Sequence, residues 1–275
     1  MKKTLLLYGA AGSGKTICAL SILKDAKYKL RILALDANAY AGIQDAIRIH
    51  NIKLIEGQLI VATPTTRKMN FSYDNVKKGD SLDFTAINNQ LNNFTGVDVL
   101  TNSEIQCGSI CDFTEDTVFI IDSFSTWQDT IRSHATKVLL SKQANPENGV
   151  NGMSLVGEMQ NIVLAFIENI QKNIKCHFIL IAHEAVNGEE ALSASKGTLK
   201  TITPNFPGVK NTAQFLGKFA IVLYCKYVPM SKKYIIIAED MKDIISIVPR
   251  YIPKDKNLKL SELVPDLTIK DYLLF

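Results

Sequence analysis

Short, mostly apolar runs alternate with amphipathic stretches along most of the chain. Apolar runs bounded by polar or turn residues are typical of strands buried on both faces of a sheet. We interpret the following runs as strands: Thr4–Tyr8, Leu30–Leu35, Leu59–Ala62, Val118–Ile121 and Phe178–Ala182. Two amphipathic stretches, Lys15–Lys24 and Leu155–Lys172, are predicted to be helices. This alternation predicts an α/β fold with a mostly parallel central sheet flanked by helices.

Two segments depart from this alternation. The apolar runs Ile221–Cys225 and Tyr234–Ile237 flank Pro229–Lys233, a pattern that predicts an antiparallel hairpin towards the C-terminus. The segment from about 65 to 115 is polar and rich in asparagine, and we interpret it as an insertion carrying one helix around Phe84–Phe94. Because no repeat or linker divides the chain, residues 1–275 are predicted to form a single domain.

Composition adds little to this picture. Hydrophobic residues make up 47% and charged residues 21% of the chain, which is ordinary for a globular protein with a sizeable core. The net charge of +4 permits a polyanionic partner without predicting one. The apolar run Thr4–Tyr8 is far too short to cross a membrane, so we expect a cytoplasmic protein with no membrane partner.

The cysteines do not indicate a metal site. They are an odd, scattered set: Cys18, Cys107, Cys111, Cys176 and Cys225. Cys107 and Cys111 are the only close pair, and no histidine or further cysteine nearby completes a zinc ligand set. We therefore interpret all five as reduced thiols.

The strongest chemical signal follows the first predicted strand. The sequence there matches G-x-x-x-x-G-K-[ST], the P-loop or Walker A pattern, with residues Gly9, Ala10, Ala11, Gly12, Ser13, Gly14, Lys15 and Thr16. Glycines allow backbone N–H groups to approach and cradle a phosphate. Lys15 is expected to reach the β- and γ-phosphates of ATP, and the Thr16 hydroxyl is expected to bind Mg²⁺.

Two later strand ends carry further candidate residues. The run Val118–Ile121 ends in Asp122, which matches the Walker B pattern and predicts a carboxylate on the Mg²⁺ side of the nucleotide. The run Phe178–Ala182 is followed by His183 and Glu184. We interpret His183 as a possible sensor of the γ-phosphate, or as a residue that orients water, and Glu184 as a possible base.

At these residues the chain resembles the RecA-like branch of P-loop ATPases. It is most similar to the compact, phage-encoded RecA-fold ATPases associated with single-strand annealing and recombination. The resemblance rests on the N-terminal P-loop, on the strand ending at Asp36–Asn38, on Asp122–Trp127, and on the strand ending at His183 and Glu184. A Pro-Gly element at Pro204–Gly208 and a basic segment at Pro249–Lys254 extend it over most of the chain, except for about residues 65–115.

The resemblance implies an ATPase that assembles side by side, with nucleotide at the subunit boundary and single-stranded DNA on mobile loops. The corresponding loop spans about Ala185–Lys210, where Lys196, Lys200 and Lys210 are available for DNA phosphates. A neighbouring subunit's basic residue usually completes such a site, and the candidates are Arg250, Lys254 and Lys232. If phage-encoded, the protein is expected in the host cytoplasm.

One position departs from the family pattern. RecA-like enzymes commonly carry a catalytic Glu just after the second strand, where this chain has Asn38. An amide cannot accept a proton from water. Either Asp36, Glu184 or another carboxylate takes over, or hydrolysis is slow and nucleotide acts mainly as an assembly switch.

Two alternatives therefore stay open. A nucleotide-gated scaffold of a phage replication or packaging assembly, with little turnover, agrees with Asn38. A nucleotide or small-molecule kinase shares the P-loop but normally adds an arginine-rich lid. The five arginines are scattered along the chain: Arg31, Arg48, Arg67, Arg132 and Arg250.

Overall fold

A computed structural model describes residues 3–36, 38–64, 84–142, 149–187, 201–208, 212–228, 230 and 233–237. The strands are β1 Thr4–Gly9, β2 Lys29–Ala34, β3 Leu59–Ala62, β4 Phe94–Asp98, β5 Glu104–Gly108, β6 Thr117–Asp122, β7 His177–Asn187, β8 Thr201–Pro204, β9 Ile221–Val228 and β10 Lys233–Ile237. The helices are α1 Lys15–Leu20, α2 Ala39–His50, α3 Phe84–Asn92, α4 Phe124–Ser141, α5 Gly152–Asn173 and α6 Thr212–Leu216. None of these helices combines the length and apolar character needed to span a bilayer.

One mixed sheet organises the fold, in the order β10-β9-β1-β7-β6-β2-β3-β4-β5, with β8 paired to β7. The six strands β9, β1, β7, β6, β2 and β3 are parallel to one another. The strand β10 pairs antiparallel with β9, which confirms the predicted C-terminal hairpin. Because the central strands are parallel, their carboxyl ends meet at one edge, where ligands bind in open α/β sheets.

The sheet separates two apolar cores. On the face that we call the α1 face, Leu5 and Leu7 of β1 pack with residues of α1 and α2. On the opposite face, which we call the α4 face, Leu6 and Tyr8 pack with residues of α4 and α5. This split follows from the period of two along a strand, because successive side chains point to opposite faces. Strands buried on both sides explain the continuous apolar runs in the sequence.

The segment from about 65 to 115 is more than an insertion with one helix. The helix α3 lies where it was predicted, but residues 94–108 add β4 and β5 to the sheet, both antiparallel. Their polar sequence does not show the apolar pattern of a buried strand, so the sequence pattern does not predict β4 and β5. The buried Asp98 carboxylate accepts hydrogen bonds from the backbone N–H groups of Gly57 (2.6 Å) and Leu100 (2.8 Å). A Cβ on Gly96 would lie 2.7 Å from the Val61 carbonyl oxygen, so glycine is required where β4 approaches β3.

Two other boundaries differ from the sequence prediction. The predicted helix over 15–24 is α-helical only to Leu20 and continues as a 3-10 helix over Ser21–Lys24. The strand predicted to end at Ala182 continues to Asn187, so His183 and Glu184 lie within β7. Past His183 the strand leaves β1 and pairs with β8 instead. The strand β7 therefore continues beyond its apolar run because β8 provides a second hydrogen-bonding partner.

Candidate functional site

The glycine loop Gly9–Thr16 connects β1 to α1 at the carboxyl edge of the sheet. A Cβ on Gly9 would collide with the Cys225 carbonyl oxygen and would lie 2.7 Å from the Ser13 hydroxyl oxygen. Gly12 and Gly14 have φ angles of 72° and 85°, in the left-handed region that favours glycine. The predicted loop is therefore a tight turn whose conformation depends on its glycines.

The Lys15 side chain is buried and folds back over this loop. Its ammonium group donates hydrogen bonds to the carbonyl oxygens of Gly9 (2.9 Å) and Ala10 (2.7 Å). Burial lowers the pKa of Lys15, while nearby negative groups, including Asp122, oppose that shift. A cation held inside a turn at the sheet edge is well placed to bind an anion.

Thr16 and Asp122 lie in direct contact, although 106 positions separate them in the sequence. The Thr16 hydroxyl donates a hydrogen bond of 2.6 Å to Oδ2 of Asp122, which is 5% exposed at the end of β6. Burial raises the pKa of Asp122, and the hydrogen bond from Thr16 and the charge of Lys15 oppose this effect. A Cβ on Gly42 of α2 would lie 3.3 Å from the Thr16 Cβ, so α2 packs tightly behind the threonine.

The backbone at Asp122 and the segment just after it are hydrogen-bonded to residues on both neighbouring strands. Its carbonyl oxygen accepts hydrogen bonds from the N–H groups of Leu35 (2.5 Å) and Asp36 (3.2 Å), which follow β2. The peptide bond between Asp122 and Ser123 is cis. On the other side, the His183 N–H donates to the hydroxyl oxygen of Ser125 (3.1 Å) near the start of α4. The sheet order β7-β6-β2 therefore brings Asp36, Asp122 and His183 together.

Asp36 and His183 lie opposite each other across the end of β6. The His183 Nε2 atom is 3.8 Å from Oδ2 of Asp36, and their side chains are 32% and 27% exposed. Burial lowers the pKa of His183, the charge of Lys15 lowers it further, and Asp36 opposes both. The other Asp36 oxygen, Oδ1, accepts a hydrogen bond of 2.8 Å from the Asn38 N–H. Asn38 thus contacts this carboxylate through its backbone.

Glu184 has a different environment from its neighbour His183. Its Oε2 atom accepts a hydrogen bond of 2.8 Å from the Tyr224 hydroxyl. The Tyr224 ring lies 5.1 Å from the Tyr8 ring, centre to centre, and both rings belong to the core of the α4 face. Burial raises the pKa of Tyr224, and the adjacent Glu184 raises it further. The Glu184 carboxylate is thus engaged by Tyr224 on the α4 face, while its charge still opposes the lowering of the Lys15 pKa.

Three residues of this region did not emerge from the sequence: Gly42, Ser125 and Tyr224. Gly42 has a weak signal, since an isolated glycine in a helix often marks close packing. Ser125 lies in the Asp122–Trp127 stretch that carries the family resemblance, but the contacts of Ser125 and Tyr224 have no local signal, because their partners lie 58 and 40 positions away in the sequence.

Several predicted residues lie outside the described part of the chain. They are the lysines proposed for DNA and the basic residues proposed to act on a neighbouring subunit: Lys196, Lys200, Lys210, Lys232, Arg250 and Lys254. All five cysteines are free thiols.

No protein-family model matches this chain, and no curated protein matches it in a sequence search.

Proposed function

We propose that this protein binds ATP and Mg²⁺ at the Gly9–Thr16 loop and belongs to the RecA-like branch of P-loop ATPases. One observation carries the proposal: the buried Lys15 ammonium lies in the glycine loop beside the 2.6 Å contact between Thr16 and Asp122. A lysine, a hydroxyl and a carboxylate in this order are the groups that phosphoryl-transfer sites use.

The residues present fit a magnesium ion. Mg²⁺ prefers oxygen ligands, and it is usually bound by one or two protein oxygens together with substrate phosphates and water. Thr16 Oγ1 and Asp122 Oδ2 are such a pair of neighbouring oxygens. The described residues contain no group of three or more His, Cys, Asp and Glu side chains able to hold a metal. Bound there, Mg²⁺ would neutralise phosphate charge.

The order of the strands that carry the site residues supports the RecA-like assignment. The resemblance depends on β1, β2, β6 and β7, and these four are contiguous in the order β1-β7-β6-β2. The strand β7 lies between the loop strand and the Asp122 strand, so His183 lies between Lys15 and Asp36 in the sheet order. A water or a terminal phosphate above the sheet edge would meet His183.

We further propose that the protein acts on single-stranded DNA, in phage-type recombination or replication, as a homo-oligomer with nucleotide at the subunit boundary. The lysines of the loop after β7 motivate the DNA partner, because phosphate contacts dominate such binding. The described part of the β7–β8 hairpin begins beside His183, where Glu184 pairs with Pro204, and extends to the pair formed by Asn187 and Thr201.

ATP turnover with and without single-stranded DNA tests this proposal. We expect Mg²⁺-dependent release of phosphate that increases when single-stranded DNA is added, and DNA retention on a filter at low salt with ATP present. Absence of DNA retention would exclude the recombination role. Turnover that requires a small phosphate acceptor would instead indicate a kinase.

Asn38 favours a second candidate, a nucleotide-gated scaffold with little turnover. Its side chain is exposed after β2, where the family pattern has a glutamate. Tight ATP binding without phosphate release, with or without DNA, would support the scaffold and exclude the ATPase.

A further inference from the structure

The pair formed by Asp36 and His183 has an arrangement suited to water. We propose that Asp36 and His183 together hold the water that attacks the γ-phosphate, with Asp36 as the base that Asn38 cannot be. This inference rests on the proposed ATPase function, which it deepens by naming the missing catalytic group.

The alternation of strand residues places both side chains on the face that carries the phosphate loop. Ala34 of β2, Ile120 of β6 and Ile181 of β7 belong to the core of the α1 face. Two residues further along each strand direction come Asp36, Asp122 and His183. Asp122 agrees with this placement, since it contacts Thr16 of α1. Asp36 lies just past the end of β2, and its 3.8 Å contact with His183 places it on the same side. The pair therefore flanks Asp122 on the nucleotide side.

The spacing of the pair is compatible with one water bound to both side chains. The 3.8 Å between His183 Nε2 and Asp36 Oδ2 is too long for a direct hydrogen bond. A water that lies to one side of a contact of this length can hydrogen-bond to both atoms. The Asn38 N–H fixes the other carboxylate oxygen at 2.8 Å, which orients Oδ2 towards His183. A water bound to both groups would lie at the carboxyl edge of the sheet, beside the Thr16–Asp122 contact.

The chemical step balances without any further reactant. The oxygen of the held water forms a bond to the γ-phosphorus, and the bond from that phosphorus to the bridging oxygen breaks, with its electron pair leaving on ADP. The water proton passes to the Asp36 carboxylate and then to solvent. His183 holds the water oxygen in line during the attack.

The other candidate groups are less suited to this task. The Glu184 carboxylate is engaged by the Tyr224 hydroxyl at 2.8 Å on the α4 face. Asp122 is occupied by Thr16 and is assigned to the metal side. The Asn38 amide oxygen accepts hydrogen bonds but is too weakly basic to take a proton from water. Asp36 is the remaining carboxylate among the described strand ends at this site.

Five variants test the pair: Asp36→Asn, Asp36→Glu, His183→Gln, Glu184→Gln and, as a matched control, Asp45→Asn. Asp45 is an exposed carboxylate of α2 that pairs with Arg48 on the same helix. Asparagine at 36 keeps an oxygen for the Asn38 N–H, so the local turn is retained. Single-turnover hydrolysis is measured beside the affinities for ATPγS and for ADP with aluminium fluoride, a mimic of the transition state.

We expect Asp36→Asn to lower the hydrolysis rate by about a hundredfold or more, and His183→Gln by about tenfold. Both variants should weaken the ADP–aluminium fluoride complex while changing ATPγS affinity by less than about threefold, because they lose contacts made in the transition state. Asp45→Asn should match the wild type. Asp36→Glu should recover part of the rate, since it restores a carboxylate.

Each other outcome has a distinct meaning. If the wild type does not bind ATPγS, the proposed nucleotide site itself is wrong. If the wild type binds ATPγS and Asp36→Asn hydrolyses at the wild-type rate, or if Glu184→Gln alone removes hydrolysis, the pair is not the catalytic group. ATPγS binding by a wild type that hydrolyses nothing also overturns the pair and leaves nucleotide binding intact. His183→Gln decides the matter if Asp36→Asn does not fold.

Discussion

The two faces of the sheet differ sharply at the carboxyl edge. On the α1 face, Asp36 follows β2, Asp122 ends β6 and His183 belongs to β7, and all three lie near the Gly9–Thr16 loop. On the α4 face, Glu184 and Tyr224 are hydrogen-bonded to each other above an apolar core. Neighbours in the sequence, His183 and Glu184, therefore belong to different environments. The side chains of successive strand residues point to opposite faces of the sheet. This alternation, and not proximity in sequence, decides which polar residue can meet a ligand.

Removing the charge of Asp122 tests the α1 face most strongly. The change Asp122→Asn keeps the shape of the side chain but removes a preferred ligand of Mg²⁺. We expect the Mg²⁺-dependent gain in ATP affinity to fall by about a hundredfold, or about 2.7 kcal/mol. Calorimetric titrations with ATP, in the presence of Mg²⁺ and in the presence of EDTA, measure this gain in affinity.

Glu184→Gln supplies the comparison from the α4 face. Its ATP affinity should keep the wild-type dependence on Mg²⁺, because its carboxylate contacts Tyr224 and not Thr16. Equal losses in the two variants would contradict the division between the faces.

Gly9→Ala tests whether the conformation of the Gly9–Thr16 loop is required for ATP binding. The added Cβ would collide with the Cys225 carbonyl oxygen, so β1 and β9 must shift. We expect the free energy of unfolding to fall by about 1–3 kcal/mol and ATP affinity to fall by about tenfold. The fluorescence of Trp127, the single tryptophan and 1% exposed, reports unfolding in denaturant.

Gly157→Ala on α5 is the control for that experiment, since a Cβ there meets nothing within 4 Å. It should keep the wild-type ATP affinity and should gain up to about 1 kcal/mol of stability, since alanine is the better helix former. An unchanged ATP affinity in Gly9→Ala would mean that nucleotide does not bind this loop.

Of these variants, Tyr224→Phe should have the smallest effect on ATP affinity. The variant keeps the ring packed against Tyr8 but removes the hydrogen bond to Glu184. We expect the free energy of unfolding to fall by about 1 kcal/mol, with ATP affinity unchanged within about twofold. Denaturation followed by Trp127 fluorescence and an ATP titration check the two parts. A large loss of ATP affinity would place Glu184 in the nucleotide site.

The sequence predicts the parts of this fold that are local. The loop Gly9–Thr16 is one contiguous motif, and Asp122 ends a continuous apolar run, so both stand out. The strands β4 and β5 were missed because Gly96 and the buried Asp98 read as polar loop residues, although close packing and backbone hydrogen bonds explain them.

The pairings between strands were beyond the sequence. The contact of Asp36 with His183 depends on β6 lying between β2 and β7, which is a property of the whole sheet. The contact of Glu184 with Tyr224 likewise requires β1 to lie between β7 and β9. A single sequence carries no local signal for such order. The lysines proposed for DNA stay a prediction from the sequence.

An ATP titration of the wild type and of Lys15→Ala, with Mg²⁺ present, tests the central claim most directly. The Lys15 ammonium is buried in the loop, and its removal should lower ATP affinity by about a hundredfold or more. Lys24→Ala, at an exposed position just beyond α1, should bind ATP as the wild type does. Equal ATP affinity in all three proteins would show that the Gly9–Thr16 loop is not a nucleotide site.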